Sequence, residues 1–208
     1  MNEIDGDKIE DDDGIKVILL GETGVGKTNI INIATNQNFE PEEKTTIASS
    51  FSKVILKIKK KQYQLNLWDT IGQEQFRQLT KLFYNNSKIV IFVYDITSKE
   101  SFNELKNYWV KDIESKLGNN IIKGLIANKS DLFLYEQVKE EEGEEYAKSI
   151  NAKFLMFSAK DDSTQKILDF FSILLNEVIR SGKLNDIESV SLKKRINSKA
   201  VIKKRNCC

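Results

Sequence analysis

Residues Gly21 to Thr28 read Gly-Glu-Thr-Gly-Val-Gly-Lys-Thr, a full match to the phosphate-loop pattern G-x-x-x-x-G-K-[ST]. No other segment limits the fold so strongly. The apolar run Ile15-Lys16-Val17-Ile18-Leu19-Leu20 before it reads as a short strand, and Asn29 to Asn36 after it reads as a helix. Strand, loop and helix in that order give the match physical meaning. The glycines let backbone N–H groups close around phosphate oxygens, and the start of the helix adds partial positive charge at the same spot. Gly21, Thr23, Gly24, Val25 and Gly26 would form the cradle. Lys27 would reach the β- and γ-phosphates, and the Thr28 hydroxyl would bind Mg²⁺. The competing reading is a Gly-rich turn that merely ends a strand.

The chain has 208 residues, enough for one domain with a sizeable core. It contains no histidine, which removes Ser-His-Asp triads, histidine bases and histidine metal sites. Any catalysis must rest on carboxylates, amides, Lys, Arg and a metal held by oxygen. Both cysteines are the last two residues, Cys207 and Cys208, so the body holds no internal disulfide, as suits a reducing compartment. The acidic start does not read as a signal peptide, and Asn2 excludes myristoylation. The strongest apolar run, Ile89 to Tyr94, is too short to span a bilayer.

A net charge of +1 conceals an asymmetry: 1–14 carries seven carboxylates against one lysine, while 192–208 carries seven basic residues and no carboxylate. We therefore expect an acidic flexible tail over 1–14, a domain over 15–182, and a basic flexible tail over 183–208.

The body alternates strands and helices, the pattern of a layered α/β domain. Phe51 to Lys59 and Gln62 to Trp68 are neighbouring strand candidates with Lys59-Lys60-Lys61 at an exposed hairpin tip. Ile89 to Tyr94, Ile121 to Ala127 and Lys153 to Phe157 read as strands covered on both faces. Thr97-Ser98-Lys99-Glu100 has the form of a capping box. Phe102, Leu105, Trp109, Ile113 and Leu117 then recur at helical spacing. Further helices are expected over Glu140 to Ser149 and from about Ser163 to Ser181, the last stopped by Gly182.

A phosphate loop does not choose between ATP and GTP. Asn128-Lys129-Ser130-Asp131 lies at the carboxyl end of a strand candidate, where open α/β sheets bind ligands. A carboxylate at Asp131 can accept from both N1–H and the 2-amino group of guanine, whereas adenine offers neither donor there. Ser158-Ala159-Lys160, after the next strand, offers backbone N–H groups for the guanine carbonyl. Asp69-Thr70-Ile71-Gly72-Gln73 follows another strand. Asp69 is placed to hold the metal through water, Gly72 to bond the γ-phosphate through its N–H, and Gln73 to orient an attacking water. Alone, any of these segments could be an ordinary loop; their order along the chain carries the reading.

With these motifs in place the body resembles a Ras-superfamily small GTPase, most closely the Rab family. Trp68-Asp69-Thr70-Ile71-Gly72-Gln73-Glu74 is similar to W-D-T-A-G-Q-E, and Thr46-Ile47-Ala48-Ser49-Ser50-Phe51 to T-I-G-x-x-F. Ile91-Phe92-Val93-Tyr94-Asp95-Ile96-Thr97 and the final Cys207-Cys208 belong to the same pattern. The resemblance implies a P-loop G domain: a mostly parallel six-stranded sheet with one antiparallel edge strand, flanked by helices. It implies bound GTP or GDP, Mg²⁺, and an on/off cycle driven by GTP hydrolysis. By the same resemblance Thr46 would join Thr28 and Asp69 at Mg²⁺, and Phe39 would pack against the guanine. Gln73, Lys27 and Gly72 would serve hydrolysis. Asn128, Lys129, Asp131, Ser158, Ala159 and Lys160 would hold the base. Phe51, Trp68 and Phe83 match an aromatic cluster that meets effectors, although core packing is the plainer reading. The expected partners are an exchange factor, a GTPase-activating protein, a GDP dissociation inhibitor and a prenylation escort, with no nucleic acid.

The chain departs from the pattern at Ile71 (Ala in the family), Ala48 (Gly), Gln75 (Arg), Asn85-Asn86-Ser87 (Arg-Gly-Ala) and Thr23 (often Gly in the wider superfamily). The bulk of Ile71 beside the γ-phosphate points to slow hydrolysis. In the tail, Lys193-Lys194-Arg195 and Lys203-Lys204-Arg205 precede the paired cysteines. Two lipid chains, or one with basic residues, hold a protein on an anionic surface. The cysteine pair resembles the doubly geranylgeranylated end of Rab proteins, which implies the cytoplasmic face of an internal membrane, exchange with cytosol, and a role in vesicle traffic. Three rivals remain: a GTP-binding scaffold with little hydrolysis, a Ras- or Rho-like signalling switch, and a P-loop ATPase.

Overall fold

The computed structural model describes residues 14–40, 50–70, 83–118 and 121–183. Its centre is a six-stranded sheet in the order β2-β3-β1-β4-β5-β6. The strands are β1 (Ile15–Leu20), β2 (Ser50–Ile58), β3 (Lys61–Asp69), β4 (Ile89–Asp95), β5 (Ile122–Asn128) and β6 (Ala152–Met156). All neighbours are parallel except β2 with β3, so the antiparallel strand sits at the edge, as expected.

β1 lies in the middle. From it the chain moves outward to β3 on one side and then to β4 on the other, so the loop leaving β1 opens at the topological switch point of the sheet. Alternate residues of β1 feed two cores. Ile15, Val17 and Leu19 join one face with α1 (Lys27–Ala34) and α5 (Thr164–Arg180). Ile18 and Leu20 join the other with α2 (Lys99–Glu104), α3 (Val110–Leu117) and α4 (Glu140–Ser149). Burial on both faces explains why β1 and β4 read as continuous apolar runs.

Local details correct several expectations. Helix α1 begins two residues before Asn29, because Lys27 and Thr28 form its first turn behind Gly26, whose φ is +92°. The hairpin tip is only Lys59 and Lys60, with φ of 47° and 69°; Lys61 already pairs with Ile58. Two positive φ values fit a two-residue turn that matches the twist of its strands. The cap of α2 is Ser98, one residue past the expected box, and its hydroxyl accepts from Ser101 N–H at 3.1 Å. Thr97 is instead bonded to Asp95 Oδ1 at 2.7 Å.

The helical run from Phe102 to Leu117 is not one uniform helix: Leu105–Trp109 makes a π-helical turn between α2 and α3. Its apolar residues still reach the core, with Phe102, Leu105, Trp109 and Ile113 all buried. Strand β6 is covered on both faces as expected, Leu155 packing against one core and Phe154 and Met156 against the other, but as an edge strand paired with β5 alone it is only partly buried. Phe157, placed in that strand by the sequence, lies just beyond it and is fully buried. Gly182 stands past the end of α5 with φ +72°, where a left-handed residue stops a helix.

Gly143 in α4 is required by packing. A Cβ there would overlap the Tyr94 hydroxyl and crowd the Phe154 ring. We expect Gly143→Ala to destabilise the fold by about 1–3 kcal/mol, although Ala is the better helix former by about 1 kcal/mol. Thermal unfolding checks this: Tyr94→Phe in the same chain should recover part of the loss, the Phe154 contact remaining, and an unchanged midpoint in the single variant would refute the clash.

Candidate nucleotide-binding site

The phosphate loop is shaped from both sides. Gly21 has φ +154°, and a Cβ there would overlap the Val93 carbonyl of β4. A Cβ on Gly26 would meet the Asn128 side chain, whereas Gly24, at φ +77°, faces open space. Thr23 and Gly24 are exposed and Val25 is buried, so the crest of the loop faces outward while its base is anchored. Lys27 is 6% exposed, and its Nζ donates to the carbonyls of Gly21 and Glu22, each at 2.9 Å. Its ammonium is thereby held against the loop that it serves.

Thr28 Oγ1 donates to Asp69 Oδ2 at 2.6 Å, so the two metal candidates within the described residues meet directly, 41 positions apart in sequence. A hydroxyl and a carboxylate are hard oxygen donors of the kind that Mg²⁺ takes. Among the described residues no cluster of three or more His, Cys, Asp or Glu could hold a metal. Thr46, Ile71, Gly72 and Gln73, with Ala48 and Gln75, lie outside the described residues.

Asn128 ties three loops together. It is 1% exposed; its Nδ2 donates to the Val25 carbonyl at 2.8 Å, and its Oδ1 accepts the Ala159 N–H at 3.2 Å. Here the asparagine acts as a brace within the protein. Lys129 takes a left-handed φ of 65° and pairs with Asp95 at 2.7 Å, and Asp95 also accepts from the Thr97 N–H and hydroxyl at 2.8 and 2.7 Å. Asp131 Oδ1 accepts from the Ser158 hydroxyl at 2.7 Å.

The backbone donors expected at Ser158, Ala159 and Lys160 are all engaged within the protein. Ser158 N–H donates to Asp162 at 2.8 Å and Lys160 N–H to the Ser158 hydroxyl at 3.3 Å, while Ala159 N–H goes to Asn128. The bond from Lys160 N–H is the longest of the three.

Several supporting residues escaped the sequence reading. The indole N–H of buried Trp109 donates to Glu22 Oε1 at 2.8 Å, which ties the phosphate loop to the π-helical turn. The Thr70 hydroxyl reaches the Leu19 carbonyl at 2.5 Å. Asn29 bonds both the N–H and the carbonyl of Glu40, at 2.9 and 3.0 Å. Between them, Phe39 packs its half-buried ring against the core beside α1 and α5. Asp162 bridges the Ser158 N–H and Lys166, the latter at 2.7 Å.

Phe51, Trp68 and Phe83 do come together. The Trp68 ring lies 5.3 Å from Phe51 and 5.4 Å from Phe83, and Lys16 Nζ sits 4.6 Å above it. All three rings are half-buried, so the group is neither plain core nor free surface.

Comparison with known proteins agrees with this geometry. The sequence profile described as "Ras family" matches residues 16–180. The chain is 36% identical over 195 residues to "Ras-related protein RabC" of Dictyostelium discoideum, covering 93% of this chain and 96% of that protein. It is 40% identical over 147 residues to human "Ras-related protein Rab-22A", covering 71% and 75%. To human "Ras-related protein Rab-21" it is 38% identical over 171 residues, covering 82% and 75%.

Proposed function

This chain belongs to the Ras family, among its Rab-like small GTPases, and from that premise we propose that it binds GTP and GDP with Mg²⁺, hydrolyses GTP slowly, and acts as a membrane-attached switch in vesicle traffic. The observation that carries the reading is the Asn128 brace. One side chain joins the phosphate loop, at Val25, to the loop holding Ala159, and stands three residues before Asp131. That link supports reading the phosphate loop and Asp131 as parts of one site.

Each residue has a task in it. Lys27 supplies positive charge to the β- and γ-phosphates, and Thr28, Asp69 and Thr46 would hold the metal. Bound Mg²⁺ would neutralise charge developing on the phosphates. Gly72 would bond the γ-phosphate and Gln73 would orient the attacking water. Asp131 accepts from the guanine edge, with Ser158 fixing its carboxylate. Phe39 would lie against the base.

Among the described residues no helix is long and apolar enough to cross a membrane. Attachment in this proposal comes from lipid on Cys207 and Cys208, with the basic clusters adding about 1 kcal/mol per residue near an anionic surface. Effectors would meet the Phe51, Trp68 and Phe83 group beside the switch segments. An exchange factor, a GTPase-activating protein, a GDP dissociation inhibitor and a prenylation escort complete the cycle between cytosol and the cytoplasmic face of an internal membrane.

Heat release and chromatography of the nucleotide carried by purified chain test the binding: guanine nucleotide is expected, and adenine nucleotide would overturn it. Single-turnover hydrolysis at saturating Mg²⁺ then compares wild type with Ile71→Ala. A rate gain in the variant supports the slow-switch reading, and rates within about twofold, under 0.5 kcal/mol of barrier, oppose it. No hydrolysis in either chain would favour the scaffold.

The Trp109 to Glu22 bond gives a separate prediction. Hydrogen bonds to charged groups contribute about 1.5–3 kcal/mol. Trp109→Phe keeps a six-membered aromatic ring but deletes the donor together with the pyrrole ring, so GDP release should speed up roughly tenfold or more, one factor of ten per 1.4 kcal/mol. Stopped-flow release of a fluorescent GDP analogue measures it; an unchanged rate would mean that the bond does not hold the loop.

A further inference from the structure

The turn after Asp131 carries an apolar surface that the nucleotide site does not use. Residues Ser130–Tyr135 form a 3₁₀ turn in which Leu132, Phe133, Leu134 and Tyr135 are 37%, 66%, 80% and 71% exposed. Four consecutive large apolar side chains facing water are costly unless something covers them.

The segment is firmly held. Leu132 N–H bonds the Lys129 carbonyl at 2.9 Å, Gln137 N–H bonds the Ile96 carbonyl at 2.8 Å, and Val138 just beyond is fully buried. Next to it runs the acidic helix α4. Glu142 pairs with Lys99 and Glu144 with Lys148, but exposed Glu136, Glu140, Glu141 and Glu145 make no ion pair among the described residues. The surface is therefore an apolar ridge bordered by uncompensated carboxylates. It fits a segment that is basic with apolar residues interspersed.

This chain carries such a segment. Leu192-Lys193-Lys194-Arg195-Ile196 and Val201-Ile202-Lys203-Lys204-Arg205 alternate anchors and cations, with no carboxylate from 192 onward. It also reaches. The ridge lies near the start of α5, since Asp131 bonds Ser158 and Ser163 caps that helix. The 17 residues of α5 carry the chain about 26 Å away at 1.5 Å per residue. From Lys183, ten further residues to Lys193 span about 33 Å at 3.3 Å each, and twenty to Lys203 about 66 Å.

We infer that the chain's own basic C-terminal segment docks on the Leu132–Tyr135 ridge and the acidic face of α4. Tethering makes a weak contact sufficient, because a short flexible linker gives an effective concentration in the millimolar range. The same basic residues that would face an anionic membrane then have a resting place on the protein. This goes beyond the proposed switch and does not depend on lipid at the cysteines.

The only two cysteines, Cys207 and Cys208, allow a direct test in the full-length, lipid-free chain. A nitroxide attached to both should broaden the amide NMR signals of Leu132 to Glu136 and of α4, while β2, at the far edge of the sheet, stays sharp. The broadening should fall at least twofold in Phe133→Ser/Leu134→Ser, at exposed positions, and in Glu140→Gln/Glu141→Gln/Glu145→Gln, with bound guanine nucleotide retained. Broadening no greater at the ridge than elsewhere would overturn the inference and leave the ridge to another protein. Isotope-labelled chain without nitroxide, mixed with nitroxide-bearing chain, separates the second-copy case: equal broadening there would overturn intramolecular docking. Loss of guanine nucleotide from wild type would count against the proposed function instead.

Discussion

Asn128→Ala is expected to weaken GTP binding about a hundredfold or more. The side chain is buried and spends both polar atoms on the protein, on the Val25 carbonyl and the Ala159 N–H. Alanine leaves two polar groups in a buried setting, since Val25 is 1% and Ala159 3% exposed. An orphaned buried donor or acceptor costs about 1–3 kcal/mol, so the pair costs about 2–6 kcal/mol. Much of that falls on the relative placement of phosphate cradle and base loop, which the ligand must span. Equilibrium binding of a fluorescent GTP analogue measures the affinity, and thermal unfolding of the same variant measures the share lost from the fold. Affinity within threefold of wild type would show that the brace is dispensable.

Asp131→Asn should change which base is bound. Ser158 donates its hydroxyl to Asp131 Oδ1, and an asparagine carbonyl can accept the same bond, so the loop should keep its shape. The other carboxylate oxygen, which makes no hydrogen bond among the described residues, would be the acceptor for the guanine donors in the proposed function. In the variant an N–H replaces it and meets the guanine donors head-on. Losing two hydrogen bonds to a charged acceptor, at about 1.5–3 kcal/mol each, predicts a fall in GTP affinity of a hundredfold or more. Xanthine carries a carbonyl at position 2, which the new N–H can meet, so XTP should gain relative to GTP. Competition among GTP, XTP and ATP decides it, and an unchanged preference for GTP would remove Asp131 from base recognition.

Residues that must be specific types were legible in the sequence. Gly21 and Gly26 stand where only glycine tolerates the close approaches, and Lys27, expected at the phosphates, holds the Gly21 and Glu22 carbonyls of the same loop. Thr28 and Asp69 were each named as metal candidates, and their direct bond, from the first turn of α1 to the end of β3, is what the structure adds. Relations between distant residues were not legible. A tryptophan at helical spacing reads as core, and Trp109 is core, yet its indole N–H also steadies Glu22. The π-helical turn that carries it left no mark, since Leu105, Trp109 and Ile113 keep an ordinary apolar period. Asn128 was assigned to the base by its motif, whereas its contacts are with Val25 and Ala159. Thr97 and Ser98 are both competent caps, and only the bond from Thr97 to Asp95 decides between them. Strand β6 is covered on both faces, as its apolar Phe154, Leu155 and Met156 suggested, but periodicity did not reveal that it is an edge strand with one neighbour.

The Asn128 brace also bears on how the chain is made. Its contacts run from Val25 to residues 103 and 134 positions further on, at Asn128 and Ala159. β1, the central strand, waits for partners in β3 and β4. Such non-local pairing slows folding, since long loops must close before their contacts stabilise anything. A ribosome must therefore deliver most of this chain before the first motif it translated can close on a ligand. If nucleotide binds only the finished arrangement, as the proposed function implies, it would pull the folding equilibrium toward it by mass action, by about 2.7 kcal/mol at a hundred times Kd. In a cell, guanine nucleotide would then act on this protein as a maturation factor before it acts as a signal.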